Sequence, residues 1–143
     1  MVGGLTTGRM LIAQAAIDSV KIGVTIATRY ALLRPQFGDK PIMAYRTHQL
    51  RLMPALATAY AMHLSSTHLK KLAFGDIAMD ESERAKTVHI MSAGLKAAAT
   101  WSKVDILQKC RECCGGQGFL AINKIGPMAV DTNVDVTFEG APV

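Results

Sequence analysis

Three long apolar stripes at helical spacing constrain the fold of this 143-residue chain more than any other feature. An apolar side chain at every third or fourth position marks one face of an α-helix. The stripes predict helices over about residues 9–33, 42–73 and 80–109. Their members are Ala13, Ala16, Ile17, Val20, Val24, Ala27 and Ala31 in the first, Met53, Leu56, Tyr60, Leu64 and Thr67 in the second, and Val88, Met91, Leu95, Ala98, Ser102 and Ile106 in the third. The sequence therefore predicts an all-α, up-down helical bundle.

The ends of these helices carry local signals. Pro35 ends the first helix, because the residue before a proline is biased away from helical backbone, and residues 34–41 read as a loop. Pro54 lies inside the second pattern, and we expect a kinked single helix because the stripe keeps its phase across it. Asp80 and Glu83 form a candidate capping box for the third helix.

The remainder of the chain predicts smaller elements. A short helix is expected over residues 119–123, a Gly126-Pro127 turn follows, and alternation over residues 134–139 predicts an extended segment. Three long helices do not close a bundle and need a fourth long partner. We therefore expect this chain to be a piece of something larger.

Composition excludes several classes of function. Half of the residues are hydrophobic, 6% are aromatic and the net charge is +5. No basic run exceeds two residues, so nucleic-acid binding has little support. No uninterrupted apolar run approaches the roughly 18 residues of a membrane span. Cys110, Cys113 and Cys114 lack a convincing fourth zinc ligand, and we expect no metal site.

Two short motifs are candidates for chemistry. Cys114-Gly115-Gly116-Gln117-Gly118-Phe119 is a turn whose backbone can approach a large ligand such as a phosphate, and Phe138-Glu139-Gly140 contains a candidate general base. The alternative interpretation is a glycine stop at a helix end followed by a surface strand. Short glycine motifs are common, so the residues alone leave both interpretations open.

Six ordered motifs, spread from residue 29 to residue 140, together form a specific pattern. They are Arg29-Tyr30-Ala31-x-x-Arg34-x-Gln36-Phe37-Gly38, His48-Gln49-x-Arg51-Leu52, Leu56-Ala57-x-Ala59-Tyr60-Ala61, His89-x-Met91-Ser92-Ala93-Gly94-Leu95-Lys96-Ala97, Cys110-Arg111-x-x-Cys114-Gly115-Gly116-Gln117-Gly118-Phe119 and Phe138-Glu139-Gly140. The pattern closely resembles the first carboxy-terminal helical domain of acyl-CoA oxidases, which are flavoenzymes of the acyl-CoA dehydrogenase superfamily.

The resemblance implies roles for individual residues. Glu139 matches the base that removes the α-proton of an acyl-CoA thioester while the β-hydrogen leaves as hydride to FAD, and Gly140 matches the glycine beside the thioester. The residues that the resemblance places near the FAD shared between two subunits are Arg34, Gln36, Phe37, Gln49, Gly115, Gly116 and Gly118.

The implied function is desaturation of a fatty acyl-CoA to trans-2-enoyl-CoA in peroxisomal β-oxidation, with O₂ reduced to H₂O₂. A homodimer or larger complex is implied as the assembly. Residues 1–143 would form the helical-bundle domain, without counterparts of the family's amino-terminal helical and middle β-domains. The near rival is an acyl-CoA dehydrogenase, and the rival of a different class is a non-catalytic helical assembly subunit.

Overall fold

The computed structural model describes residues 2–140, with side chains from residue 4 onward. Within this range there are four α-helices and short 3₁₀ helices, and no β-strand. The α-helices are α1 (Val2–Leu33), α2 (Arg46–Ala73), α3 (Glu81–Cys113) and α4 (Ile125–Thr137), and the 3₁₀ helices are Ile42–Ala44, Gly115–Phe119 and Ala121–Asn123. The predicted all-α, up-down bundle is confirmed.

Contacts between side chains define the directions of the helices. Gln14 of α1 accepts a hydrogen bond from Lys70 near the end of α2, at 2.7 Å, so these two helices are antiparallel. Arg51, near the start of α2, forms an ion pair with Glu112 near the end of α3. Helices α1 and α3 therefore run parallel, and α4 returns antiparallel to α3.

The predicted stripe of α1 is the centre of the core. Each of its seven members is at most 3% exposed. Gly23 lets α3 approach closely, because a Cβ at this position would lie 2.5 Å from a methyl carbon of Leu107. By length and composition alone, the segment from Gly4 to Leu33 could also cross a membrane. Core helices of soluble proteins pass the same test, and the α1 stripe is packed inside the bundle.

The predicted apolar stripe of α2 lies mostly on the exposed face of the helix. Met53, Tyr60 and Leu64 are 43%, 64% and 65% exposed. The buried residues are Leu52, Ala55, Ala59, Met62, Ser66, Leu69 and Leu72. Both faces of α2 carry apolar residues at helical spacing, so the period predicts a helix without indicating which face packs inward. The helix runs through Pro54 as one element and begins at Arg46, after a 3₁₀ turn.

The start of α3 follows the predicted cap. The Asp80 carboxylate accepts hydrogen bonds from the backbone N–H groups of Ser82 and Glu83, at 3.0 and 3.4 Å. These groups have no partner within the helix, so the cap stabilises its first turn. The helix ends at Cys113, four residues later than predicted.

The predicted turn and extended segment near the C-terminus are wrong, because residues 125–137 form α4. Pro127 lies in the first helical turn, where a missing N–H costs no intrahelical hydrogen bond. Ile125 and Thr132 are buried, and Asp135 forms an ion pair of 2.7 Å with Lys103 of α3. Packing against α3 outweighs the strand preference of the valines in this segment.

Candidate functional site

The Phe138-Glu139-Gly140 motif begins immediately after α4 and is held by two basic residues. Lys96 of α3 donates hydrogen bonds to the carbonyl oxygens of Val136 and Gly140, both at 2.9 Å. Arg9 of α1 donates from Nε to the carbonyl oxygen of Glu139, at 3.2 Å. Three backbone carbonyls around one glutamate are therefore fixed from two different helices.

The backbone at this motif turns sharply. Glu139 has a φ of +56° and Gly140 has a φ of +96°. The left-handed region is costly for a residue with a Cβ, so the conformation of Glu139 depends on the contacts around it.

The Glu139 carboxylate lies against α1 at Gly8. A Cβ at Gly8 would be only 2.6 Å from Glu139 Oε1. Gly8 therefore leaves the space that the carboxylate occupies. The side chain is half-buried, whereas Phe138 is 57% exposed and does not cover it within this chain.

Lys96 is almost completely buried, with 2% of its surface exposed. Burial lowers its pKa, and the nearby positive charge of Arg9 lowers it further. The carboxylates of Asp135 and Glu139 act in the opposite direction. The amine is positioned at the carbonyl-rich end of α4, where positive charge is favourable.

The candidate FAD loop lies at the opposite end of the bundle. Arg34, Gln36 and Phe37 are exposed, and Phe37 is in the left-handed region with a φ of +56°. The loop is closed by a hydrogen bond of 2.9 Å from the N–H of Ile42 to the carbonyl of Arg34. The Tyr45 hydroxyl donates to the carbonyl of Gln36 at 3.0 Å. The loop is thus ordered by its own backbone while its side chains face outward.

Gln49 lies one turn into α2, at the same end of the bundle. Its amide nitrogen donates to the carbonyl of Met43 at 3.0 Å. It also borders a shallow groove with Arg46 and Leu50 on the exposed face of α2. Gln49 ties the 3₁₀ turn to α2 and remains accessible.

The three glycines of the second motif have different surroundings. Gly115 has a φ of +56°, and a Cβ at Gly115 or Gly116 would meet no atom within 4 Å. Gly118 is buried, and a Cβ there would lie 2.1 Å from the carbonyl oxygen of Arg111. Gly118 is therefore required for packing of this turn against α3. Gly115 and Gly116 leave open backbone surface that a ligand could approach.

The structure brings the candidate residues together in two groups, not one. Glu139 and Gly140 lie beside Arg9, whereas the Arg34 loop and the glycine turn lie at the other end of α1. The 25 residues from Arg9 to Arg34 correspond to about 37 Å along a helix. A single flavin bound to one copy of this chain therefore cannot contact both groups.

The cysteines beside the glycine turn are not a reactive cluster. Cys110, Cys113 and Cys114 are free and buried. Burial raises the pKa of all three thiols, that of Cys110 to about 12 and that of Cys114 to about 11. Such thiols stay protonated near neutral pH and are poor nucleophiles and metal ligands. Across residues 2–140, no group of three or more His, Cys, Asp or Glu side chains could hold a metal ion.

Comparison with known proteins assigns the family. The family model described as "Acyl-CoA oxidase, C-alpha1 domain" matches residues 2–143. The chain belongs to the acyl-CoA oxidase family.

Relatives with names and structures agree with this assignment. The acyl-coenzyme A oxidase 3, peroxisomal, of Arabidopsis thaliana is 39% identical over 142 residues, covering 95% of this chain and 20% of the relative. The crystal structure of acyl-CoA oxidase 3 from Yarrowia lipolytica has a TM-score of 0.82 at 32% identity, covering 96% of this chain and 23% of that one. This oxidase-family chain thus spans about a fifth of the length of the curated relatives that it matches.

The fold is shared more widely than the sequence. The crystal structure of an acyl-CoA dehydrogenase from Geobacillus kaustophilus superposes with a TM-score of 0.84 at 17% identity, covering 96% of this chain and 33% of that one. At this identity the likeness concerns the fold alone.

The sequence reasoning missed the residues that hold Glu139 in this oxidase-family domain, namely Gly8, Arg9 and Lys96. One signal was available for Lys96. It occurs between Ser92 and Thr100 on the α3 face that is rich in small residues, where a long charged side chain is out of place unless it has buried partners. No signal in the sequence connects residues 8 and 9 to residue 139, because the contact depends on how α1 and α4 pack.

Proposed function

We propose that this chain is the domain of an acyl-CoA oxidase that supplies the base for α,β-desaturation of a fatty acyl-CoA. The observation that supports it most is the placement of Glu139. The carboxylate has a defined position against Gly8, and its backbone is held on both sides by residues of α1 and α3. A general base needs such a fixed position relative to the proton that it removes.

In the proposed reaction, a Glu139 carboxylate oxygen accepts the α-proton of the thioester. The electron pair of the broken Cα–H bond becomes the second bond between Cα and Cβ, and the product is a trans-2-enoyl-CoA. Gly140 adjoins the base and presents no side chain that would block a thioester. FAD, when bound, would supply the acceptor for the β-hydrogen as hydride and the means of passing two electrons to O₂, giving H₂O₂.

The far end of the bundle fits a phosphate-bearing cofactor. Gly115 and Gly116 offer backbone that no neighbouring atom covers, and the Arg34 guanidinium lies on an exposed loop at the same end. An arginine pairs well with phosphate oxygens through two parallel hydrogen bonds. Because this end is about 37 Å from Glu139 along α1, we propose that it contacts the FAD of a second subunit. Gln36, Phe37 and Gln49 would border the same cofactor.

As part of the same proposal, the protein acts as a dimer and resides in the peroxisome. The Arabidopsis relative is named as peroxisomal.

The second candidate function is a non-catalytic assembly subunit, and the exposed apolar face of α2 is the observation that favours it.

The decisive experiment is an oxygen-consumption assay of the complete protein that carries this domain, with fatty acyl-CoA and no electron carrier. The expected result is stoichiometric H₂O₂ and enoyl-CoA.

Glu139→Gln keeps the side-chain shape and cannot accept the proton, so turnover should fall by about 10² to 10⁴. The bound flavin should be retained, and its absorbance is the measurement that checks this.

Three outcomes would contradict parts of the proposal. A Glu139→Gln variant with more than half of the activity rejects Glu139 as the base. Desaturation that requires an electron carrier instead of O₂ identifies a dehydrogenase. Absence of desaturation under both conditions, with the protein folded and flavin bound, supports the assembly subunit.

A further inference from the structure

We propose that Lys96 is a positioning residue for Glu139, acting through the backbone on both sides of it. The inference rests on the proposed function, because it adds a residue to the same site. Lys96 reaches the motif from the middle of α3 and contributes no atom to the reaction itself.

The environment of Lys96 is unusual for a lysine. The side chain is buried, and its ammonium group donates to two backbone carbonyls. Burial of a lysine is unfavourable unless its donors are satisfied. Here two of the three N–H donors bond to the carbonyls of Val136, in the last turn of α4, and of Gly140, beyond it. The group therefore joins the end of the helix to the residue that follows Glu139.

This connection fixes Glu139, which lies between the carbonyls of Val136 and Gly140 along the chain. Glu139 is in the left-handed region, which a residue with a Cβ leaves when nothing holds it there. Lys96 fixes the chain before and after Glu139, and Arg9 binds the carbonyl of Glu139 itself. With the backbone fixed, the carboxylate stays against Gly8.

A second buried lysine on α3 provides a matched comparison. Lys103 is 4% exposed and pairs with the Asp135 carboxylate of α4 at 2.7 Å. It holds α4 against α3 through a side chain and has no hydrogen bond to residues 136–140 among its described contacts. Removal of Lys103 tests docking of α4, whereas removal of Lys96 tests the position of Glu139.

The first test uses the 143-residue chain. Backbone ¹⁵N relaxation is measured for wild type, Lys96→Met and Lys103→Met, with circular dichroism to check helix content. We expect the order parameters of Glu139 and Gly140 to fall from about 0.85 to below about 0.6 in Lys96→Met, with α4 unchanged. Lys103→Met should leave these two residues rigid. Equal mobility in both variants, or rigid residues in Lys96→Met, would overturn the proposal.

The second test uses the complete protein and normalises activity to bound flavin, so that unfolded protein is not counted. A displacement of about 1 Å at a reacting group can reduce the rate by about 10². We expect Lys96→Met to lower kcat by about 10- to 100-fold with KM for acyl-CoA within twofold. Lys103→Met should keep kcat within threefold.

The two proposals fail in different ways. If Glu139→Gln is inactive and Lys96→Met keeps its kcat, the base is correct and the positioning role of Lys96 is wrong. If Glu139→Gln is fully active, the proposed function is wrong, and the relaxation data still decide whether Lys96 orders the motif.

Discussion

Space for the Glu139 carboxylate exists because residue 8 has no side chain. The nearest atoms to a Cβ at Gly8 are Oε1 and Cδ of Glu139, at 2.6 and 2.9 Å. These atoms form the far end of a flexible side chain and can move away. A methyl group at position 8 would therefore displace the carboxylate without a backbone clash.

We expect Gly8→Ala to separate activity from stability. Alanine is the better helix former, so the free energy of unfolding of the 143-residue chain should be unchanged or rise by up to about 1 kcal/mol. Turnover by the complete protein should fall by at least about tenfold, because the proposed base is displaced. The checks are urea denaturation and the oxygen assay.

Gly94→Ala is the matched control for this substitution. Gly94 lies within α3, and a Cβ there meets no atom within 4 Å. The variant should gain a similar stability and keep full activity. Normal turnover in Gly8→Ala would show that the position of the carboxylate in this structure is not the one that matters for catalysis.

The short elements at the far end of the bundle depend on close backbone packing. In the 3₁₀ helix Gly115–Phe119, one glycine is buried against α3 and two are exposed. The sequence left this motif open between a single ligand-binding turn and a glycine stop at a helix end. The structure divides it into a packing position at Gly118 and accessible positions at Gly115 and Gly116.

This division leads to a prediction. Gly118→Ala places a Cβ 2.1 Å from the carbonyl oxygen of Arg111, which is backbone and cannot yield easily. We expect the free energy of unfolding to fall by about 1–3 kcal/mol. Gly116→Ala has open space and should change stability by less than about 0.5 kcal/mol. Chemical denaturation of both variants is the measurement.

The same pair also tests the cofactor proposal. Gly116→Ala in the complete protein should weaken FAD binding, although the domain remains folded. Unchanged FAD affinity in this variant would remove Gly116 from the proposed cofactor contact. Equal stability losses in the two variants would contradict the division of the turn.

At the scale of the whole molecule, an apolar surface remains uncovered. The outer stripe of α2, formed by Leu50, Met53, Tyr60 and Leu64, is between 43% and 65% exposed. Soluble monomers rarely expose contiguous apolar patches larger than a few hundred Å². The fourth helix, α4, has only 13 residues and packs on α3, so it leaves this stripe open.

We expect the 143-residue chain to self-associate through this stripe. A two-fold dimer is the commonest arrangement for such an isologous surface. Sedimentation velocity over a range of concentrations should show reversible association. The double variant Met53→Glu/Leu64→Glu should be monomeric, because it places charges within the stripe.

The control is Ile90→Glu/Val130→Glu, which adds the same charge at positions of α3 and α4 that are each 70% exposed. It should associate like wild type. A wild-type chain that is monomeric at all concentrations would show that the outer stripe is not an interface between copies.

The sequence alone determined the elements whose cause is local. The α1 stripe, the Asp80 cap and the helix end before Pro35 depend on residues within one or two turns, and all three were predicted correctly. The family resemblance, which rests on motifs in order, was also available from the sequence. The role of Glu139 was proposed from it and remains to be tested.

Only the tertiary structure decided which faces meet and which residues hold the site. The apolar period of α2 fits a helix with either face inward. The valines after Pro127 favour a strand by propensity, and packing against α3 makes this segment a helix instead. Lys96 donates to the carbonyls of Val136 and Gly140 across 40 and 44 positions of sequence, and Arg9 donates to the carbonyl of Glu139 across 130. Such contacts follow from the packing of α1, α3 and α4, which no local pattern encodes.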